Sequence, residues 1–147
     1  MRKIILALFL SLCGFVAAGQ EADAILGDYH SKQNADEYKV RVTRNANGTY
    51  KAQIFWVKDD VDPATGKKFL DTKNPSKALR SVACDRIVLF DGLQYNAARQ
   101  RWDGTKIYDP QRGIRANAVV TRDAATGKLS VKGSLLGISE TVIWTRL

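Results

Sequence analysis

Histidine and cysteine, the side chains that most often carry nucleophilic or metal-dependent chemistry, are scarce in this sequence. It has one histidine, His30, and two cysteines, Cys13 and Cys84, in 147 residues. Histidine-based catalysis needs a base that titrates near neutrality, and zinc is held by several His or Cys side chains. No serine lies in a nucleophile-elbow pattern. We therefore expect no catalytic residue, no metal and no cofactor, and we interpret His30 as a polar residue at a strand end.

Carboxylates are the one catalytic alternative that the composition leaves open. A pair of aspartates can perform acid and base catalysis when the two groups lie at a suitable separation. Asp71, Asp103 and Asp109 are the candidates, but sequence spacing does not give their separation. Turn and cap roles explain all three, so the sequence predicts a protein that is not an enzyme.

Long apolar runs are also lacking, apart from one at the N-terminus. Arg2 and Lys3 precede an apolar stretch at residues 4–16, and small residues follow at positions 17–19. The stretch is too short to span a bilayer and has the organisation of a secretory signal peptide. We expect residues 1–19 to be cleaved, the protein to be periplasmic or secreted, and the remaining chain not to be transmembrane.

The chain that remains after such cleavage, residues 20–147, has the length of one domain. It loses two basic residues, so the formal charge falls from +8 to +6, and it keeps Cys84 as its only cysteine. No intramolecular disulfide is then possible. A lone thiol in an oxidising compartment is typically buried as a small apolar residue, and we expect the same of Cys84.

The hydrophobic pattern is that of half-buried β-strands. Apolar and polar residues alternate over residues 38–43, 50–56 and 129–133, and Asp-x-x-x-Gly turn signals occur at residues 62–66, 109–113 and 123–127. Aspartate and glycine in such segments serve turn formation. The Gly-Lys pairs at Gly66 and Gly127 lack the sequence context of a phosphate-binding loop. One short helix is predicted from Asn74 to Ser81, with Asn74 as its N-cap and Pro75 in its first turn. Many antiparallel strands with one short helix favour an all-β, up-and-down β-barrel, because closure removes exposed strand edges.

Four motifs carry a resemblance to a known family. They are G-D-Y at residues 27–29, D-T-K-N-P at 71–75, W-D-G-T-K-I-Y-D-P-Q-R-G at 102–113 and K-G-S-L-L-G-I-S-E-T-V-I-W-T-R at 132–146. The chain resembles small exported bacterial proteins grouped as domain of unknown function 2147, although Tyr29 stands where that family usually has Trp. The resemblance implies a lipocalin-like barrel and an exported protein, and it implies no known reaction.

Aromatic and small residues suggest a binding role. Several aromatic residues lie in or beside strands, and the small residues Ala52, Ala116, Ala118 and Gly133 fall at predicted inward positions. A barrel of this size can hold one small ligand, and an apolar lining would favour a small apolar or amphipathic molecule, either lipid-like or aromatic. Core packing is the alternative for Trp56 and Trp144. The ligand-binding candidates, with polar anchors from the motifs, are Tyr29, Trp56, Asp71, Lys73, Asn74, Trp102, Lys106, Tyr108 and Trp144.

A second hypothesis is an envelope interaction protein whose barrel is packed solid. The positive charge would favour an anionic envelope surface, and an outer apolar patch would favour a protein partner. Nucleic acid is not expected, because basic residues do not cluster with aromatic ones. The residues predicted to lie on outer strand faces are Phe55, Val57, Val88, Phe90 and Ile143.

Overall fold

A computed structural model describes Gly19 and residues 21–147 of the chain. The signal peptide expected over residues 1–19 lies outside this part, apart from Gly19. The described chain forms nine β-strands: β1 (Gly27–Gln33), β2 (Asp36–Arg44), β3 (Tyr50–Val57), β4 (Val88–Asn96), β5 (Arg101–Asp103), β6 (Lys106–Asp109), β7 (Ile114–Arg122), β8 (Leu129–Leu135) and β9 (Ile138–Arg146).

All strand pairs are antiparallel, and they close into a barrel. The pairing order is β5-β4-β3-β2-β1-β9-β8-β7-β6, and an additional pairing of Trp102 in β5 with Val120 in β7 joins the two ends. Strands β5 and β6 both run along β7 and are separated by a bend at Gly104 and Thr105. Counted as one bent strand, they make an eight-stranded up-and-down barrel, which confirms the predicted fold class.

The N-terminal segment covers one end of the barrel. A short 3₁₀ turn, Asp23–Ile25, places Ile25 in the core. The Tyr50 hydroxyl donates to the Asp23 carboxylate at 2.6 Å, and the Trp102 indole Nε1–H donates to the Ala22 carbonyl at 3.0 Å. We call this the closed end.

The opposite, open end carries the β1–β2, β6–β7 and β8–β9 turns and the long connection from β3 to β4 at residues 58–87. The expected short helix lies in this connection as one 3₁₀ turn, Lys77–Leu79, with a second turn at Cys84–Arg86. The first turn begins after Ser76 rather than Asn74. Asn74 instead accepts a hydrogen bond from the Ser76 amide through its own side chain at 2.9 Å, which is local turn chemistry.

Bulges change the faces of side chains in β3 and β4 from the predicted ones. The β2–β3 register shifts by one residue between Lys39 and Val40, so Trp56 lies opposite Lys39 with its ring 37% exposed. Trp56 was expected on the inner face. Two shifts in the β3–β4 pairing carry Phe90 into the core, where it is 1% exposed, although it was predicted to lie outside. A bulge reverses face assignments beyond it, which periodicity cannot reveal.

The remaining outer-face predictions differ in outcome. Ile143 is 47% exposed, as expected, and Phe55 is partly buried beneath the Arg41 guanidinium. Val57 packs against the core, because the same bulge that turns Trp56 outward turns Val57 inward. Val88 is partly buried at the start of β4.

The Asp-x-x-x-Gly segments are turns, as predicted. Asp109 and Asp123 each accept backbone amide hydrogen bonds through Oδ1, and the amides of Gly113 and Gly127 bond to the carbonyls of those aspartates at 2.8 Å. Asp62 does the same for Ala64 and Gly66. In the described part of the chain, no helix has the length and apolar character needed to cross a bilayer.

Candidate functional site

The interior-facing side chains of β7, β8 and β9 form four rows between the closed and the open end. The strand register places the residues of a row beside one another, and Ala116 continues the alternation of β7. From the closed end outward, the rows are Arg122 with Leu129 and Trp144; Val120 with Val131 and Val142; Ala118 with Gly133 and Glu140; and Ala116 with Leu135 and Ile138.

Exposure rises from the closed end to the open end along β8 and β9. Leu129 and Trp144 are 0% exposed, whereas Leu135 is 38% and Ile138 is 72% exposed on the same strands. Gly133, between them, is partly buried. The interior is therefore packed at the closed end and accessible to solvent at the open end, and we call the accessible part the mouth.

Small side chains keep the mouth wide. Ala116 and Gly133 face Ile107, and a Cβ added at Gly133 would lie 3.3 Å from both the Ala116 Cβ and the Ile107 Cγ2. Of these three neighbouring positions, only Ile107 has a large side chain, since Ala116 has a methyl group and Gly133 has no side chain. Together with Val142, these three residues form a shallow apolar surface that is partly exposed to solvent.

Aromatic residues form the floor of the mouth. The Trp144 ring lies 6.0 Å from Phe90 in a stacked arrangement and 6.2 Å from Tyr29, and its Nε1–H donates to the Tyr38 hydroxyl at 2.9 Å. Ser31, 2% exposed, lies opposite Tyr38 in the β1–β2 ladder. Burial raises the pKa of Tyr38 above its usual value, so its hydroxyl stays protonated at neutral pH. The floor therefore offers apolar rings and one hydroxyl group.

The rim of the mouth carries a charged pair. Arg112, in the β6–β7 turn, donates to Glu140 of β9 at 2.7 Å and lies 3.6 Å from Asp109. The Arg112 guanidinium lowers the pKa of the Glu140 carboxyl, so Glu140 is ionised at neutral pH. Both side chains are more than half exposed. They can exchange this pairing for bonds to a polar group of a bound molecule at little cost, because exposed ion pairs contribute little free energy.

The barrel wall opens on one side of the mouth. Strands β1 and β9 pair only through Tyr29 with Arg146 and His30 with Thr145. Beyond His30 the two strands separate, so residues 138–143 lack a strand partner on that side within the described chain. This gap leaves the β9 side of the mouth without a neighbouring strand.

A buried polar cluster lies on the outer face of β6. Tyr108 pairs with Arg115, whose guanidinium lies 5.3 Å from the ring centroid. The Tyr108 hydroxyl donates to Asp71 Oδ1 at 2.7 Å, and Asn74 Nδ2 donates to Asp71 Oδ2 at 2.9 Å. Burial, together with the Asp71 carboxylate, raises the pKa of Tyr108. The cluster fastens the 58–87 connection to the barrel wall.

Lys73 and Gly113 complete this attachment, which we call the clamp (Asp71, Lys73, Asn74, Tyr108 and Gly113). Lys73 Nζ donates to the Gln111 carbonyl at 2.8 Å, and a Cβ at Gly113 would overlap the Lys73 carbonyl oxygen. Two of the motifs quoted above, at residues 71–75 and 102–113, thus pack against each other. Their distinctive residues have a structural explanation.

The predicted ligand-binding residues therefore occupy different places. Tyr29 and Trp144 lie in the packed interior, and the Tyr29 hydroxyl donates to the Ile25 carbonyl of the closed-end segment at 2.7 Å. Trp102 lies at the closed end, and Trp56 lies outside, where the Lys39 ammonium is 4.9 Å from its ring centroid. Lys106 is exposed on the outer face of β6. The clamp holds the other four, Asp71, Lys73, Asn74 and Tyr108.

Several residues of the mouth were absent from the prediction. Tyr38 shows the right alternation but no motif marks it, and the Arg112–Glu140 pair joins the β6–β7 turn to strand β9, 28 residues away in the sequence. The small residues Ala116 and Gly133 were predicted to face inward, and they do. The prediction did not say how close Ala116 and Gly133 lie to the open end.

The side chains that could serve catalysis or metal binding are dispersed or paired with other residues. In the part of the chain that the structure describes, no group of three or more His, Cys, Asp or Glu side chains could hold a metal ion. His30 lies 2.9 Å from Glu37, and Asp103 pairs with Arg101 at 2.9 Å. Cys84 is only partly buried, and burial raises the pKa of its thiol, which makes the reactive thiolate scarce at neutral pH.

Two concavities lie on the outside of the barrel. One, of about 580 Å³, is lined by Asp59, Asp60, Val61, Pro63 and Phe69 of the long connection. The other, of about 370 Å³, lies where β5 bends into β6. Neither contains the aromatic floor of the mouth.

Comparisons with known proteins agree with this architecture. Protein HP1028 from Helicobacter pylori, which is described as belonging to the lipocalin family, is 22% identical and superposes with a TM-score of 0.66, covering 84% of this chain and 82% of that chain. At this identity the likeness concerns the fold. No curated protein matches the sequence. The sequence profile of one family, described as "Uncharacterized protein conserved in bacteria (DUF2147)", matches residues 27–146, so this chain belongs to the domain of unknown function 2147 family.

Proposed function

We propose that the protein binds a small amphipathic molecule in the mouth of its barrel, and that it does so in the periplasm or after secretion. The rise in exposure from Trp144 at 0% to Ile138 at 72% along the interior face carries this proposal. In a barrel whose interior packs only against itself, the apolar side chains of the interior face would be buried at both ends. The proposal is one of binding, not of catalysis.

The lining defines the chemistry of the ligand. Ala116, Gly133 and Val142 offer an apolar surface, while the Tyr38 hydroxyl at the floor and the Arg112–Glu140 pair at the rim offer donors and acceptors. Ligand sites generally combine an apolar lining with a few placed polar groups. The ligand would place its apolar part on the floor and its polar part at the rim. Packing of the closed end limits it to a short chain or a single ring system.

The experiment is a fluorescence titration with N-phenyl-1-naphthylamine, an apolar dye that brightens away from water, followed by displacement with decanoate. We expect saturable binding by the wild-type protein and at least about tenfold weaker binding by Ala116→Leu, since the larger side chain fills the mouth. Thr121→Leu, on the outer face of the same strand, is the matched control and should bind normally.

Equal binding by the wild-type and Ala116→Leu proteins would contradict the proposal, and so would an absence of saturable binding. That second result would favour the alternative, an envelope interaction protein with a packed barrel. The dense packing around Leu129, Val131 and Trp144 is the observation in favour of that alternative.

A further inference from the structure

The β8–β9 turn projects three apolar side chains from the rim of the mouth. Leu135 is 38%, Leu136 is 94% and Ile138 is 72% exposed. Single exposed apolar residues are ordinary, but three within four positions at the end of a hairpin form a continuous apolar tip. We call residues 135–138 the apolar tip.

The backbone conformation at position 136 is unfavourable for leucine. Its φ is 51°, and that of the following Gly137 is 78°. Two-residue hairpin turns with positive φ favour Asn, Asp and Gly, since a side chain such as that of leucine is strained there. Leu136 is thus unfavourable for the turn and buries almost nothing within the chain. Folding alone does not account for it.

Three cations that form no ion pair within the described chain lie on the outer strand faces behind the tip, and one of them, Arg115, lies over the Tyr108 ring. Lys106, Arg115 and Lys132 are exposed on the outer faces of β6, β7 and β8, and none of them forms an ion pair with any other residue between 21 and 147. Their directly opposite neighbours across the strands carry no charge: Asn117 faces Lys106, and Val119 and Thr141 face Lys132. Lys132 lies only three residues before Leu135, about 10 Å along the strand.

We propose that the apolar tip inserts into the interface of an anionic lipid bilayer, with Lys106, Arg115 and Lys132 against the lipid headgroups. A narrow, protruding apolar tip backed by cations suits a bilayer interface, where apolar burial and attraction to anionic lipids act together. It does not suit a specific protein interface, which needs a far larger surface. The inference does not depend on a ligand in the mouth, although such docking would point the mouth at the membrane.

Vesicle flotation tests the proposal. The full-length sequence is expressed, and the protein is purified after removal of the expected signal peptide. One set of vesicles contains phosphatidylcholine alone, and the other contains phosphatidylcholine with phosphatidylglycerol at about three to one. We expect binding to the anionic vesicles, weaker binding to the neutral ones, and loss of the difference at high salt. Equal binding to both sets at low salt would overturn the role of the cations.

The decisive variant is Leu136→Asn, because asparagine fits the positive φ and keeps the turn. It should reduce partition onto anionic vesicles by at least about tenfold, while its thermal unfolding temperature is unchanged or higher. Ile143→Thr, at a residue of β9 that is 47% exposed on the outer face and away from the tip, is the matched control and should partition normally. All variants share one N-terminus, so the difference reports on the apolar tip.

Three results would overturn the inference. They are no binding to anionic vesicles, equal partition of Leu136→Asn and wild type, and concentration-dependent self-association that Leu136→Asn abolishes in the absence of vesicle binding. The last would assign the tip to contact between copies. Ala116→Leu should keep vesicle binding, and Leu136→Asn should keep dye binding, so this inference and the proposed function can fail separately.

Discussion

The closed and open ends of the barrel use the same strands in different ways. At the closed end, Leu129 and Trp144 are fully buried, and the N-terminal segment seals the interior through Ile25. At the open end, the same strands reach Leu135 and Ile138, which remain exposed on the interior face. The strand framework is continuous, so the difference arises from what covers each end. The closed end supplies stability, and the open end is left available for contacts with other molecules.

A second difference lies within the open end itself. On the outer side, Tyr108 and Gly113 hold the long connection tightly through Asp71 and Lys73. At the β8–β9 turn, nothing lies within 4 Å of a Cβ placed on Gly137. The clamp is therefore rigidly built, whereas the apolar tip stands free. Free, apolar and strained positions are where external contacts are expected.

The largest effect should come from the same substitution at the two ends of strand β8. Leu129→Ala should lower the free energy of unfolding by about 2–5 kcal/mol, because it leaves a cavity in a packed interior. Leu135→Ala, on the same face and 38% exposed, should cost less than about 1 kcal/mol. Urea unfolding measures both, and equal costs would show that the two ends do not differ in packing.

A smaller contrast is expected between two glycines with similar backbone conformations. Gly113 has φ 66° and Gly137 has φ 78°. Gly113→Ala should cost at least about 2 kcal/mol, since the new methyl group meets the Lys73 carbonyl in addition to the strain of positive φ. Gly137→Ala should cost about 1 kcal/mol, from the strain alone. Thermal unfolding measures both stability losses, and similar losses would show that Gly113 is not packed against Lys73 in the clamp.

Tyr108→Phe should have a smaller effect, of about 1 kcal/mol, because Asp71 loses the Tyr108 hydrogen bond but keeps that of Asn74. Its pH dependence is the sharper test. The folded-state pKa of Tyr108 lies above its ordinary value of 10.0, so this contribution is present below pH 10 and is lost as the pH rises further.

Unfolding curves between pH 8 and 11 should therefore show less alkaline destabilisation in Tyr108→Phe than in the wild-type protein. Part of the loss should persist, since burial also raises the pKa of Tyr29 and Tyr38. An unchanged alkaline slope would mean that the Tyr108 hydroxyl is not held by the Asp71 carboxylate.

Much of the framework follows from the sequence. Alternation predicts the strands around Val40 and Val131, and the Asp-x-x-x-Gly turns join them as expected, so the barrel itself is predictable. The faces of Trp56 and Phe90 are not, since each depends on a bulge. A bulge adds one residue to one strand and leaves no mark in the alternation of that strand.

The candidate site was predictable only in part. Tyr29 and Trp144 lie in the interior, whereas Lys106 and Tyr108 face outward, because the bend at Gly104 changes the face of the residues that follow Trp102. The rim pair of Arg112 and Glu140 depends on contact between the β6–β7 turn and strand β9, which are distant in the sequence. Such long-range pairings follow from barrel closure, and single-strand patterns do not contain them.

The most direct test of a barrel packed at one end and open at the other is methyl NMR during titration with decanoate. We predict saturable shifts of the Ala116, Leu135 and Val142 methyl signals, with Val120 and Leu129 of the packed end little changed. Val119, which faces outward beside Ala118, is the internal control and should not shift. Shifts centred on Val119 or on the packed end, or an absence of shifts at the mouth, would contradict the account.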